Sequence, residues 1–572
     1  MVHPDGGAVR NVERRIYGIE TEYGMALEDA DRRLRASDPG TLFDLLEAAL
    51  LERHASLDVD SFAHDRHRGE NIDITTKEGR FLENGARVYY DAGHLEWATP
   101  ECLSARQAAL YELAGEATLA ELATAIAPSP GSRLLLLKNN VDYARERTFG
   151  CHENYLFPRE KSSHADRALF DRLVRQLVPF LVTRQIFTGA GRLGSSDAAT
   201  PFQISQRADF IETVVSTETR SERGIINTRD ESLTADRRYR RLHLIVGDSN
   251  RSPCATILKL GTTGLVLQLI EENVLDGAPV IPDPVAALRA ISRDLTCSGS
   301  FPVAEGRHAT ALEVQFFFLE RAERHFGRPG RPPSPEREEV LTMWREMLED
   351  LAADPTCAAN RVDWLIKFHH LLGPRVERGA VRWSEVGAWG RVFSELRRIR
   401  GTASDVPLAP PSAAERAQLQ SLAARDVLDW DDFERQHRLF FELRECDLRY
   451  HDIDPRRGLF GVLDAAGVVL RPFIPGEIAT ARTEPPPTRA RLRAEVIRWA
   501  RERGHESDTV LDWGRVVFPR GAIDLPDPFA TEDSELTRRL GGDEIPIRIL
   551  GVERMREPVE GVVSRVRRFF GV

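Results

Sequence analysis

The sequence predicts an α+β protein, one large domain of strands and helices followed by a smaller appendage. Three observations point that way. Segments of period-two and of 3.6-period apolar spacing succeed one another along the chain, with no internal repeat. Three consecutive prolines, Pro485, Pro486 and Pro487, form a stiff connector within 481–488, ahead of a basic helix and a strand. At 572 residues, 42% hydrophobic and 29% charged, the chain has the composition of a soluble globular protein that can bury a sizeable core.

The elements follow in order. Residues 15–23 read as a short strand, with Ile16 and Ile19 set among polar residues. In 41–51 the apolar positions Phe43, Leu46, Ala49 and Leu50 keep helical spacing. The stretch 58–80 is rich in charge and poor in large apolar groups, and reads as a mobile polar loop. Residues 88–90 are strand, 105–126 helix and 134–137 a short buried strand. A long apolar helix covers 168–187, with Pro179 as its point of interruption. Both 202–217 and 241–247 read as strands. Residues 255–272 begin as a strand or turn around Gly261 and continue as an apolar helix. Helices at 310–323 and 336–352 flank 327–335, whose four prolines and two glycines mark a surface connection; 407–412 is another. A basic helix at 489–503 and a strand at 510–518 complete the pattern. In 558–570, Val562, Val563, Val566, Phe569 and Phe570 are apolar and one side is basic. That tail either touches a membrane or, the preferred reading, packs on the body or a partner. The expected units are 12–480, 488–550 and a basic amphipathic tail at 551–572.

Charge and cysteine usage exclude several classes. Lys and Arg number 78 against 89 Asp and Glu, for a net charge of -11, so a dedicated nucleic-acid binder is not expected. No apolar run long enough to span a bilayer is apparent, and the N-terminus lacks the apolar core of a signal peptide. No membrane partner is expected. Cys102, Cys151, Cys254, Cys297, Cys357 and Cys446 are scattered with no CxxC pair. A disulfide scaffold and a structural zinc site are therefore set aside, and the cytoplasm is the expected compartment.

Three polar clusters could carry chemistry. On a strand, Glu20 and Glu22 of Glu20-Thr21-Glu22-Tyr23-Gly24 share one face. Two such carboxylates either sit on a solvated edge or are neutralised by a cation, for which Mg²⁺ with a nucleotide is a natural choice. In 84–91, Arg87, Tyr89 and Asp91 share a face, and Glu96 and Glu101 follow. An arginine among carboxylates fits either a phosphate site or a surface salt-bridge ladder; the aromatic Tyr89, Tyr90 and Trp97 weigh against the ladder. The third group gathers His152-Glu153-Asn154, Gln206-Arg207, Asn227-Thr228-Arg229-Asp230 and Arg241-Leu242-His243 on short strands, a polar lining instead of a core. No Walker A, HExxH or GxSxG string occurs, and a P-loop, a zincin, a serine hydrolase and a Rossmann site are set aside.

Particular strings go further. RRIYGIETEYG at 14–24, NGARVYYD at 84–91, ATPEC at 98–102 and KNNVD at 138–142 are followed by GCHENYL at 150–156 and TRQIFTGAGR at 183–192. QISQRADF at 203–210, GIINTRDE at 224–231 and YRRLHLIVGDSN at 239–250 continue the series. In order and density they resemble the Pup ligase and depupylase family, enzymes that attach or remove the small prokaryotic ubiquitin-like protein. The resemblance spans about 14–529.

What it implies is a glutamine synthetase-like, carboxylate–amine ligase fold: a curved antiparallel sheet cradle backed by helices, with a small C-terminal domain against it. The implied cofactors are ATP and Mg²⁺. The implied partners are Pup, or a related modifier, and proteins bearing the modified lysine. Carried over residue by residue, Glu20, Tyr89 and Glu96 resemble metal ligands, with Glu22 and Glu101 as supporting carboxylates. Arg87, Thr99 and Trp513 resemble nucleotide contacts. Asp91 resembles the catalytic aspartate, and His152, Arg229 and His243 resemble active-site residues without assigned contacts. The branch expected is the depupylase, hydrolysing the isopeptide bond or deamidating the modifier's C-terminal glutamine. The long spacing from Gly24 to Asn84, with 58–80 as a loop, and Glu96 at the fifth position after Asp91 favour it. GCHENYL, PFLVTRQ at 179–185 and TRARLRAE at 488–495 favour the alternative, a ligase that phosphorylates the modifier's C-terminal glutamate and joins it to a lysine. Leu95-Glu96-Trp97 departs from the Pro-Glu-Tyr usual in both.

Overall fold

One large sheet organises the chain, whose computed structural model describes residues 14–542 apart from 32–33, 36, 60–78, 92, 127–130, 144–146, 161, 196–199, 219–220, 229–237, 403–407 and 424–427. The sheet's strands are β1 (Tyr17–Glu28), β2 (Leu34–Arg35), β3 (Ser56–Val59), β4 (Gly79–Leu82), β5 (Arg87–Asp91), β6 (His94–Ala98) and β7 (Arg133–Leu137). They continue as β8 (Cys151–Pro158), β9 (Thr213–Ser216), β10 (Gly224–Asn227), β11 (Tyr239–Leu244), β12 (Val510–Asp512), β13 (Arg515–Phe518) and β14 (Gly521–Asp524). Across the sheet the order is β9-β10-β11-β8-β1-β6-β5-β4-β3-β12-β13-β14, and the far end of the long strand β1 also pairs with β2 and β7. The centre is antiparallel, as expected of the cradle. Parallel pairs β9–β10 and β3–β12 lie towards its margins, so the sheet is mixed.

Alternation along β1 decides which side is which. Ile19, Thr21 and Tyr23 are buried, while Glu20 and Glu22 are partly exposed on the other face. The apolar face meets helices α1 (Pro39–Arg53), α2 (Ala105–Ala125), α3 (Ser163–Thr183) and α4 (Pro253–Glu271). Ile19, Tyr155, Leu242 and Leu244 join α3 and α4 residues in the principal core. Polar groups behind the sheet are paired: Thr21 Oγ1 donates to Glu112 (2.6 Å), Lys138 bridges Glu112 and Glu116, and Arg184 pairs with Glu153. Burial makes such pairs expensive to break, so they fix how the sheet seats on its helices.

Several elements differ from expectation. Residues 253–271 are helix throughout, with no turn at Gly261. That glycine serves close packing instead, since a Cβ there would come within 2.6 Å of Val340 on helix α6 (Pro335–Ala353). α4 is apolar and long enough to cross a bilayer by length and composition, but almost all of it is buried inside the fold. α3 runs unbroken through Pro179, and the break falls at Arg184, before a short helix at Gln185–Thr188. Within 202–217 only Phe202–Gln203 and Thr213–Ser216 are strand. Asp248 accepts from the backbone N–H groups of Gln206 (2.8 Å) and Arg207 (3.1 Å) and so holds the chain between in a loop. Gly189-Ala190-Gly191-Arg192-Leu193-Gly194 does spell G-x-G-x-x-G, but it follows a helix and lacks the strand-to-helix setting of a dinucleotide site.

The region after 488 joins the main sheet. Helix α9 (Arg489–Arg503) precedes the β12–β13 hairpin, and Val510 pairs with Asp58 to extend the main sheet. Leu492, Val496, Trp513 and Val516 share one apolar cluster with Phe81, Tyr89 and Ala98. Most of the expected loop 58–80 and the whole 551–572 tail lie outside the described residues.

Candidate active site

The polar face of five adjacent strands, β11-β8-β1-β6-β5, carries the site. Register does the assembling. Glu20 faces His152 on one side and Ala98 on the other, and Glu22 faces Glu96. Glu96 in turn faces Tyr89, Ala98 faces Arg87, and Asn154 faces His243. Each of these residues is two positions from the next on its strand, so pleating alone turns them to one side.

Two subsites result. Around Glu20, His152 Nδ1 lies 3.5 Å and His243 Nε2 3.8 Å from one carboxylate oxygen, and Arg241 Nη1 lies 3.4 Å from the other. Arg241 also donates to Asn154 Oδ1 at 2.7 Å, and the two imidazoles meet edge to face with centroids 4.8 Å apart. Burial by itself would raise the Glu20 carboxyl, but Arg241 and the two histidines outweigh it and hold it well below the usual carboxylate range. The ligand atoms of Glu20, His152 and His243 are close enough together to hold a metal ion.

The second subsite is an oxygen-rich one. Glu96 is buried and faces Glu22, with Asp91 and Glu20 near by. Burial first, then the repulsion of Glu22, Asp91 and Glu20, pushes the Glu96 carboxyl well above its ordinary range. Burial and Glu96 push the Tyr89 hydroxyl up as well. So crowded a set of hard oxygen donors fits Mg²⁺, whose charge would offset the repulsion. Space matters here. A Cβ on Gly150 would lie 2.4 Å from His152 Nε2 and 2.6 Å from Glu22 Oε1, so only glycine leaves both side chains in place.

An apolar pocket opens beside Glu20, lined among others by Gly18, Thr99, Leu156, Arg241 and Trp513. Thr99 Oγ1 accepts from Ile19 N at 3.0 Å and ties the pocket wall to β1. The lining is largely apolar, with Glu20, Glu101, Arg241 and Arg489 as its charged members. Arg87 is buried with its guanidinium 4.4 Å from the Tyr89 ring centroid, and its Nε and Nη2 have no partner among the described residues. Buried donors of this kind suit an anionic ligand.

The structure thus gathers Glu20, Glu22, Tyr89, Asp91, Glu96, His152 and His243 on one face, and brings Thr99 and Trp513 to the pocket. Glu101 lines the pocket but is taken up by Arg489 and Arg493, away from the acid cluster. Arg229 lies outside the described residues. One residue escaped the sequence reading. His94 faces Asp91 across the β5–β6 hairpin, and its Nδ1 lies 3.3 Å from Glu22 Oε2. Its parity with Glu96 on a strand is the signal that would have found it.

A mixed sheet backed by helices, with acids and imidazoles on its open face and an aromatic-walled pocket at one end, defines a carboxylate–amine ligase-like enzyme. Comparison with known proteins narrows this. The Pup-ligase protein family matches residues 15–389 and 386–517, and the chain belongs to that Pup ligase and depupylase family. A Pup–protein ligase of Acidimicrobium ferrooxidans is 36% identical over 92% of this chain and 98% of its own. A depupylase of Acidothermus cellulolyticus is 34% identical over 90% and 91%. A crystal structure of the Pup ligase PafA in complex with Pup superposes with a TM-score of 0.69 at 29% identity, covering 93% of this chain and 92% of that one. PafA in complex with ADP gives 0.63 at 31% identity, over 84% and 93%.

These findings overturn the depupylase expectation. Pup–protein ligases from Acidimicrobium, Kineococcus, Nocardioides and several further genera match along nearly their full length, and both PafA structures are of ligases. The Asp91-to-Glu96 spacing is set by a hairpin turn and still puts Glu96 opposite Tyr89 and Glu22.

Proposed function

We propose that the chain is a Pup–protein ligase, which uses ATP and Mg²⁺ to join the C-terminal glutamate of Pup to a lysine of a target protein. The observation that carries the reading is the apolar Trp513 pocket opening directly onto the Glu20 and Arg241 end of the acid-lined face. A nucleotide lying there puts its purine against Trp513 and its phosphates among the cationic and metal-binding groups. The ligase names of the similar relatives and of both PafA structures support the same reading.

The chemistry has two halves. A carboxylate oxygen of the modifier's terminal glutamate attacks the γ-phosphorus of ATP, and the bond to the bridging oxygen breaks, so ADP leaves. The lysine amine then attacks the acyl carbon of the resulting acyl phosphate; phosphate leaves, and the amine gives up a proton. Asp91, at the end of β5, accepts the proton that the lysine ammonium must lose before it can attack, and the second proton, lost as the amide forms, leaves with the phosphate. Glu20, Glu22, Tyr89 and Glu96 would hold Mg²⁺, which offsets negative charge on the phosphate oxygens. Arg87 and Thr99 contact the nucleotide, and His152 and His243 hold Glu20 in place and ionised. A cytoplasmic setting suits an ATP consumer whose six cysteines are all free.

Hydroxylamine tests the first half alone. With Pup ending in glutamate, ATP and Mg²⁺ but no target protein, the reading expects Pup hydroxamate and ADP in equal amounts. ADP without hydroxamate, or neither, would count against it.

A further inference from the structure

Glu101 is buried, yet it faces arginines instead of the acid cluster. Arg489 reaches its Oε1 with Nε at 3.0 Å and Nη2 at 2.9 Å, and Arg493 Nη1 reaches the same oxygen at 2.8 Å. Arg493 Nη2 takes the second oxygen. Terminal nitrogens of both arginines also donate to backbone carbonyls around the pocket, while Arg493 Nε has no partner among the described residues. Arg493 donates to Trp513 O at 2.9 Å and to Gly85 O at 3.1 Å, and Arg489 donates to Leu525 O at 2.8 Å. Thr488 Oγ1 adds a bond to Glu101 O at 2.9 Å. The Arg493 guanidinium lies 5.0 Å from the Trp513 ring centroid and 5.1 Å from that of Phe81, and Phe81 meets Trp513 edge-on. Glu101, Arg489 and Trp513 all line the apolar pocket.

From this geometry we propose that Glu101, Arg489 and Arg493 form a positioning latch that docks the α9–β14 segment on the catalytic sheet and sets Trp513 against the purine of the bound nucleotide. The inference rests on the nucleotide reading above and deepens it. Both Glu101 oxygens are engaged by the arginines, on the side away from the acid cluster. The carboxylate charge offsets two buried guanidinium groups, and the planar forks fix orientation as a lysine ammonium would not. The latch acts only where the base lies. The triphosphate end lies among Glu20, Glu96 and Arg87, whose side chains stand on the polar face of β1, β6 and β5.

The test compares full-length wild type with Arg493→Lys, which keeps the charge and loses the fork. ATP and inorganic tripolyphosphate are the two probes, each across a range of Mg²⁺ concentrations. Expected for the variant is a rise of about tenfold in KM for ATP, with kcat at saturating ATP within about twofold and the Mg²⁺ dependence unchanged. Tripolyphosphate should inhibit wild type and variant equally. A drop in kcat at unchanged KM, a weakened Mg²⁺ dependence, or an equal loss of tripolyphosphate binding would each overturn the latch. Wild type that binds neither probe would instead overturn the nucleotide reading beneath it. Should Arg493→Lys not fold, Thr488→Val deletes the hydroxyl that holds the Glu101 carbonyl and caps helix α9 beside the latch, and must show the same pattern, at about threefold; a KM for ATP equal to wild type in that variant overturns the proposal.

Discussion

Replacing Arg87 with methionine should separate stability from function in opposite directions. Arg87 is 2% exposed, and two of its donor groups, Nε and Nη2, are buried without partners among the described residues. Each buried unsatisfied donor costs roughly 1–3 kcal/mol. Against this stands the contact with the Tyr89 ring at 4.4 Å, worth roughly 0.5–2 kcal/mol. Methionine has similar length, fills the space and brings no donors. The nucleotide-free variant should therefore be at least as stable as wild type, by about 0–5 kcal/mol. With Mg²⁺ and ATP at a hundred times Kd, wild type gains about 2.7 kcal/mol from mass action, and the variant should gain almost none. Thermal unfolding with and without Mg·ATP, read by circular dichroism, supplies both numbers from one set of samples. The expected result is a melting temperature for the free variant at or above that of wild type and a collapsed nucleotide-induced shift. A free variant less stable than wild type that keeps the full nucleotide-induced shift would refute the reasoning, because Arg87 would then be a packing residue.

Four further outcomes follow. Asp91→Asn should bind ATP as wild type does, by calorimetry, while losing conjugate formation by about 10²–10⁴-fold; normal turnover would remove Asp91 from its role. His94→Gln should release Glu22 from its imidazole partner and lower kcat by about 10–100-fold with KM for ATP unchanged. Gly150→Ala should fold, yet lose about 10²-fold in kcat, because its new methyl would push His152 and Glu22 apart. Acid stability reports on Glu101, whose carboxyl the two arginines hold at about 2, against its burial, from an ordinary 4.5. That difference contributes about 3 kcal/mol above pH 4.5, lost as pH falls from 4.5 towards 2. Unfolding of Glu101→Gln should thus start from lower stability at pH 7, and its gap to wild type should narrow below pH 4.5.

What could be read from the sequence was whatever repeats with the period of a strand or of a helix. Glu20 with Glu22, and Arg87 with Tyr89 and Asp91, were placed on common faces by parity alone, and register then joined those faces across β1, β6 and β5. Pairing between distant strands has no local signature. The contacts of His152 and His243 with Glu20 needed β8 to be laid beside β1 and β11 beside β8, and nothing in GCHENYL fixes that order. Glu101 shows the same limit from the other side. Its neighbours in sequence suggest a metal site, but its partners lie on α9, far along the chain, and a buried carboxylate belongs to whichever cation the fold brings to it. Gly261 misled for a related reason. A glycine among apolar residues reads as a turn, and only the facing Val340 reveals a helix that needs a missing side chain. The branch of the family rested on loop length and on the Asp91-to-Glu96 spacing; most of that loop lies outside the described residues, and the register sets Glu96 opposite Glu22 and Tyr89.

The most direct test of the account is a paired gel assay with the purified protein, ATP and Mg²⁺. One reaction receives Pup ending in glutamate and a lysine-bearing target; the other receives a preformed Pup–protein conjugate. The account predicts a new, slower band and ADP in the first, and a conjugate that persists in the second. Loss of the conjugate in the second with no new band in the first would contradict it.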